Sequence, residues 1–122
     1  MSENTDRRAT GRHGEQLARE YLLSIGYQHI CSNWRCPRGE IDIVVKDGET
    51  FVIVEVRTRR SDTTEWAWMS IDPRKQATLE IIAYQFMETQ AADSAWRIDV
   101  VAIALPRSGK PIIEHAQDAL NW

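Results

Sequence analysis

The chain has 122 residues, 43% of them apolar and 27% charged, enough for one domain with a sizeable core. A formal net charge of −3 and a pI of about 5.6 do not mark a globally basic nucleic-acid binder. No apolar run approaches the roughly 18–20 residues of a membrane helix, and the start MSENTDRR lacks a signal peptide's apolar region, so a cytoplasmic location away from membranes is expected.

The charge is uneven. Residues 1–60 hold 10 basic and 9 acidic side chains, and residues 61–122 hold 5 and 9. Arginines outnumber lysines 12 to 3, which suits bidentate phosphate contacts but also surface ion pairs.

Residues 1–9 read as a flexible N-terminus and 10–122 as a single domain. From about Thr10 the apolar residues Leu17, Ala18, Tyr21, Leu22 and Ile25 recur at helical spacing, and Gly26 closes the helix. Glu15 lies three residues before Ala18 and seven before Leu22, on the buried stripe near the helix start. Capping or offsetting the helix dipole is the alternative role for it. Gly11 and Gly14 let the helix approach a neighbour closely. Residues 27–36 read as a strand. Cys31 and Cys36 in it, without a second pair at zinc spacing, read as small core or strand residues. Pro37-Arg38-Gly39 is a turn.

The stretch Gly39 to Arg59, GEIDIVVKDGETFVIVEVRTR, is a hairpin about Asp47-Gly48. Alternation sets Ile41, Ile43 and Val45 on one face of its first strand and Val52, Val54 and Val56 on one face of its second. Glu40, Asp42, Glu55 and Arg57 occupy the opposite faces. A two-residue loop at 47–48 makes Asp42 and Glu55 diagonal neighbours; a four-residue loop sets them directly opposite. Converging carboxylates destabilise a bare sheet, so a divalent cation between them is the natural occupant. A solvated face on which Glu40 and Arg57 pair is the bland alternative.

The stretch RSDTTEWAWMSID shows no period. Its Trp66, Trp68 and Met69 read as local packing, although a loop of this length beside a charged face suits a lid or binding segment. Asp72 and Pro73 start a helix that runs to about Thr89, with a core stripe of Leu79, Ile82, Ala83, Phe86 and Met87. Lys75 projects from the same face at the N-terminal end, and with Gln76 it offers a phosphate site at a helix start; a solvated first-turn lysine is the alternative. Trp96 to Leu105 is a continuous apolar strand, as in the buried centre of a sheet. Pro106 to Pro111 is a turn, Ile112 to His115 a short strand, and the tail AQDALNW a further helical turn. The order predicts an α/β fold. Three antiparallel strands are followed by a helical crossover to a parallel strand, with a helix on each side of the mixed sheet.

Order and residues together resemble the restriction-endonuclease-like αβββαβ core, whose signature is an acid on the first helix, an Asp on one strand and Glu-x-Lys on the next. These fall on Glu15, Asp42 and Glu55-Val56-Arg57. More closely, the chain resembles the YraN family of uncharacterised bacterial proteins, related to archaeal Holliday-junction resolvases. The resemblance rests on Gly14-Glu15, Asn33-Trp34-Arg35, Gly39-Glu40-Ile41-Asp42, Val54-Glu55-Val56-Arg57-Thr58-Arg59, Arg74-Lys75-Gln76, Ile98-Asp99-Val100-Val101 and His115. It implies a metal-dependent DNA endonuclease acting on branched or unusual structures, or else a non-catalytic nucleic-acid-binding or adaptor module. The implied cofactor is Mg²⁺ or Mn²⁺, held by Asp42, Glu55 and the Val56 carbonyl. Glu15 is then a further ligand or water-orienting acid, and Arg57, Arg59, Lys75 and Gln76 are phosphate contacts. The expected partner is DNA, and resolvase relatives suggest a homodimer. Arg57 departs from the pattern: a guanidinium stays protonated, so it can hold a phosphate but cannot serve as a base.

Overall fold

The computed structural model describes residues 3–90 and 93–120. Residues 1–2 of the N-terminal segment and Asn121-Trp122 of the tail therefore lie outside the described residues. Helix α1 spans Glu3–Ser24, starting well before the expected Thr10, so most of the segment read as a flexible N-terminus is helix. The apolar period was missing there because these turns bury little: Arg7, Arg8 and Ala9 are exposed. At its other end Gly26 adopts φ +97°, while Tyr27 N–H bonds Leu22 O and Gly26 N–H bonds Leu23 O, a Schellman closure.

Five strands follow: β1 (Gln28–Cys36), β2 (Gly39–Asp47), β3 (Thr50–Arg59), β4 (Trp96–Ala104) and β5 (Ile112–Ala116). They form one sheet in the order β1-β2-β3-β4-β5, with β3 and β4 parallel and the other pairs antiparallel. Between β3 and β4 lie α2 (Glu65–Met69) and α3 (Pro73–Glu88). Helix α3 begins as its sequence prescribes, Asp72 accepting the Lys75 N–H at 2.8 Å and Pro73 in the first turn. The α/β architecture with an αβββαβ order is thus the one expected.

The core has two layers. Ala18, Leu22, Ile43, Val45, Val52, Val54, Val101 and Ile103 pack between α1 and the sheet. Val44, Phe51, Ile53, Leu79, Ile82, Phe86 and Ile98 pack between the sheet and α3, with Cys31, Cys36 and Met87 at that layer's border.

Three expectations are corrected. The hairpin closes on Asp47↔Thr50 and Lys46↔Phe51, so its loop is Gly48-Glu49. Continued past the last pair, Ile43↔Val54, this register sets Asp42 opposite Glu55, the second of the two arrangements expected. The 60–70 stretch contains α2, too short to show a period: Ala67 is buried, and Trp68 packs beside Ile71 and Val100. The described tail is a turn instead of a helix, with Ala119 buried and its N–H on Ile98 O at 2.8 Å.

Candidate metal centre

The site begins with a defect in two strands. Asn33 has φ +54°, a left-handed conformation that asparagine tolerates better than most residues. On either side of it Cys31 and Trp34 pack on the α3 layer, while Ser32 and Asn33 both line a cavity on the α1 side. The same break occurs across the rung in β2. Ile41 and Val44 belong to the α3 layer, and Asp42 and Ile43 face α1. Ile41 therefore does not share a face with Ile43 and Val45 as strict alternation predicts. Asp42, which that alternation would send under α3, is turned toward Glu15.

Glu15, Glu40 and Asp42 each offer a carboxylate oxygen, and these atoms lie within 4.8 Å of one another. Asn33 Nδ2 ties the cluster together, donating to Glu40 Oε1 at 2.9 Å and to Glu15 Oε1 at 3.4 Å. The ion partner of Glu40 is Arg35, at 3.6 Å, in place of the Arg57 pairing weighed from sequence. Asp42 Oδ2 accepts the Val56 N–H at 2.8 Å. A side-chain carboxylate thus takes an amide that a neighbouring strand would otherwise receive, at the point where the β2–β3 ladder ends. Burial and the neighbouring Glu55 carboxyl push the Asp42 carboxyl up to about 9, against the opposing pull of the Val56 N–H. At neutral pH Asp42 therefore keeps its proton.

Glu55 is buried and turns toward α3, where Lys75 Nζ stands 3.1 Å from its Oε2. The approach is off the hydrogen-bonding direction, so Oε2 keeps a charge partner without a well-aligned donor. Two donors at the start of α3 are engaged within the chain: the Lys75 N–H on Asp72, and the Gln76 side-chain amide 3.4 Å from Ile71 O. Arg57 and Arg59 lie at the end of β3 and line a cleft of about 530 Å³ with Arg60, Trp66, Val56 and Glu15. Glu15 also lines a smaller cavity of about 230 Å³, flanked by Arg12 and Arg19.

The residues singled out from sequence are thus only partly gathered. Glu15 and Asp42 meet at the centre, Glu55 stands behind Asp42 with Lys75 behind it, and Arg57 and Arg59 flank the cluster. Val56 contributes its amide, and Gln76 stands apart at its own helix start. Glu40 and Asn33 were missed as site residues. The available signal was Asn33 itself, an asparagine inside a strand pattern, where such residues are depleted.

A second polar network lies under α1. Asp99 is fully buried, bonded by Arg97 Nε at 3.0 Å, by the Asp118 N–H at 2.9 Å and by His115 Nε2 at 2.8 Å. Burial pushes its carboxyl up, but the hydrogen bonds from His115, Arg97 and Asp118 outweigh this and hold it below the ordinary range. His115 Nδ1 in turn meets Tyr21 Oη at 3.1 Å, which pins α1 to β5.

Three carboxylates, with no thiolate or imidazole among them, suit a hard, oxygen-seeking cation such as Mg²⁺ or Mn²⁺. The donor set fits the metal that the resemblance implies, with Glu40 in it and Glu55 behind it.

Comparison with known proteins adds the lineage. Uncharacterised protein family UPF0102 matches residues 14–103. A UPF0102 protein of Herpetosiphon aurantiacus is 44% identical over 117 residues, covering 92% of this chain and 94% of its own. One from Streptomyces coelicolor is 41% identical over 114 residues, covering 91% and 88%. One from Syntrophus aciditrophicus is 43% identical over 101 residues, covering 82% and 80%.

Proposed function

The chain belongs to uncharacterised protein family UPF0102, the YraN family that its motifs resemble, and we propose that it is a metal-dependent DNA endonuclease acting on branched or otherwise unusual structures. One observation carries the reading. Acids from α1 and β2 converge within 4.8 Å, and both cavities that Glu15 lines are flanked by arginines. A phosphodiester needs this combination, guanidinium groups for its charge and oxygen ligands for a divalent cation beside it.

Glu15, Glu40 and Asp42 would hold Mg²⁺ or Mn²⁺, which when bound activates water and neutralises charge at the phosphate. Asp42 joins that set by giving up its proton. Lys75 pairs with Glu55 behind it. Arg57 and Arg59 hold the phosphate and take no proton.

A second reading, a nucleic-acid-binding module without catalysis, is favoured by the raised Asp42 carboxyl and the Glu55–Lys75 ion pair, which leave two of the acids satisfied without a cation. A cleavage panel of duplex, single-stranded, flapped and four-way DNA with Mg²⁺ or Mn²⁺ separates the two. The nuclease reading expects cleavage of at least one substrate by wild type and none by Glu15→Ala or Asp42→Ala. Wild-type protein that binds DNA equally in EDTA and cleaves nothing would establish the binding module instead.

A further inference from the structure

We infer that the arginine cleft beside the acidic cluster seats an unpaired polynucleotide strand, with Trp66 as its base-stacking platform. The inference rests on the nuclease reading only for which phosphate reaches the acids. Arg57, Arg59 and Arg60 line one wall of the cleft, against two acids, Asp6 and Glu15, on a protein that is acidic as a whole. A local excess of cations in a concavity draws in a polyanion. The aromatic wall decides its form.

Trp66 is half-buried, and its indole N–H is already given to Thr63 O at 2.6 Å, so what remains to offer is its ring. The Arg59 guanidinium lies 5.7 Å from the ring centroid, a layered cation and aromatic surface of the kind on which bases stack. The platform is fixed to the fold. Ala67 is buried beside Trp66, Thr64 Oγ1 donates to Glu114 on β5, and the Ser61 N–H holds Leu105 O at 3.1 Å. A duplex keeps its base faces stacked inside, and its grooves admit protruding elements. A concave, arginine-lined cleft with one ring in its wall fits a strand whose bases are free. Glu15 lines this cleft as well as the acidic cavity, so a strand seated there leads directly to the carboxylates.

The test is fluorescence anisotropy in EDTA with fluorescein-labelled oligo-dT and with a blunt duplex of the same length. Wild type should bind oligo-dT more tightly than the duplex. Trp66→Ala should weaken oligo-dT binding by about fivefold to a hundredfold, the worth of one stacked base, and Trp66→Phe should retain most of it. The exposed pair Arg59→Ala/Arg60→Ala, which leaves α2 intact, should lower the slope of log affinity against log salt by about 1.4. Equal affinity for the two probes, or oligo-dT binding and salt slope unchanged in both variants, overturns the inference. Cleavage is measured separately with Mg²⁺. Strand binding that depends on Trp66 without any cleavage rejects the nuclease and keeps the strand site; cleavage with no such dependence does the reverse.

Discussion

At Asp42 a carboxyl is buried beside Glu55 and faces Glu15 across the site, and the Val56 N–H that it accepts offsets this only in part. Its proton is therefore held far above the ordinary carboxylate range, up to about 9 from 3.8. Between those values the folded chain binds a proton that the unfolded chain releases. The stability from this proton is fully present below the unfolded value and is lost as pH rises through the folded one. Denaturant unfolding in EDTA should thus show stability falling from pH 5 to 9, with Asp42→Asn flattening the slope by up to about one proton. Asparagine keeps a donor for Glu55 and an acceptor for Val56, so the change isolates the titration. A slope identical to wild type would remove the proton from Asp42. The sequence placed Asp42 and Glu55 together through the hairpin pattern. It set Ile41 on one face with Ile43 and Val45, because period-two alternation carries no sign of the break at Asn33.

Among the elements, α1 depends on contact without a side chain. A Cβ at Gly14 would lie 1.8 Å from Thr58 Oγ1 and 2.6 Å from Thr58 Cβ, so no rotation of Thr58 makes room. Close approach here brings Glu15, the next residue, against the end of β3. Gly14→Ala should cost about 1–3 kcal/mol in thermal or denaturant unfolding, the usual toll of overpacking. Thr58→Gly, which removes both clashing groups, should recover part of the loss in the double variant. Additive losses would mean that the helix does not rest on Thr58. Gly14 was legible as a close-approach residue, and α3 was legible almost to the residue because Asp72, Pro73 and the 3–4 spacing all agree. Helix α2 was not. At five residues it is shorter than two turns, and Ala67 and Trp68 are in place through contacts with distant strands.

Over the whole molecule, the acidic cluster joins residue 15 to residues 40 and 42 across the α1–sheet interface, so it exists only in the folded chain. Given the proposed metal site, Mn²⁺ at a hundred times its Kd should add about 2.7 kcal/mol of stability, read as a higher melting temperature that EDTA reverses. Glu40→Gln should shrink that rise if Glu40 is a ligand, whereas an unchanged rise would return the site to Glu55. The sequence by itself determined the αβββαβ order, the helix capped by Asp72 and the existence, though not the register, of the acidic hairpin, because each follows from periodicity and turn chemistry within a short span. It also marked Glu15 and Asp42, through an acid on a buried stripe and a carboxylate in a strand. Only the tertiary structure decided which acids meet. A single left-handed residue at Asn33, set against Asp42 across one rung, turns that carboxylate to the α1 face. There it joins Glu15 and Glu40, while Glu55 beside it pairs with Lys75.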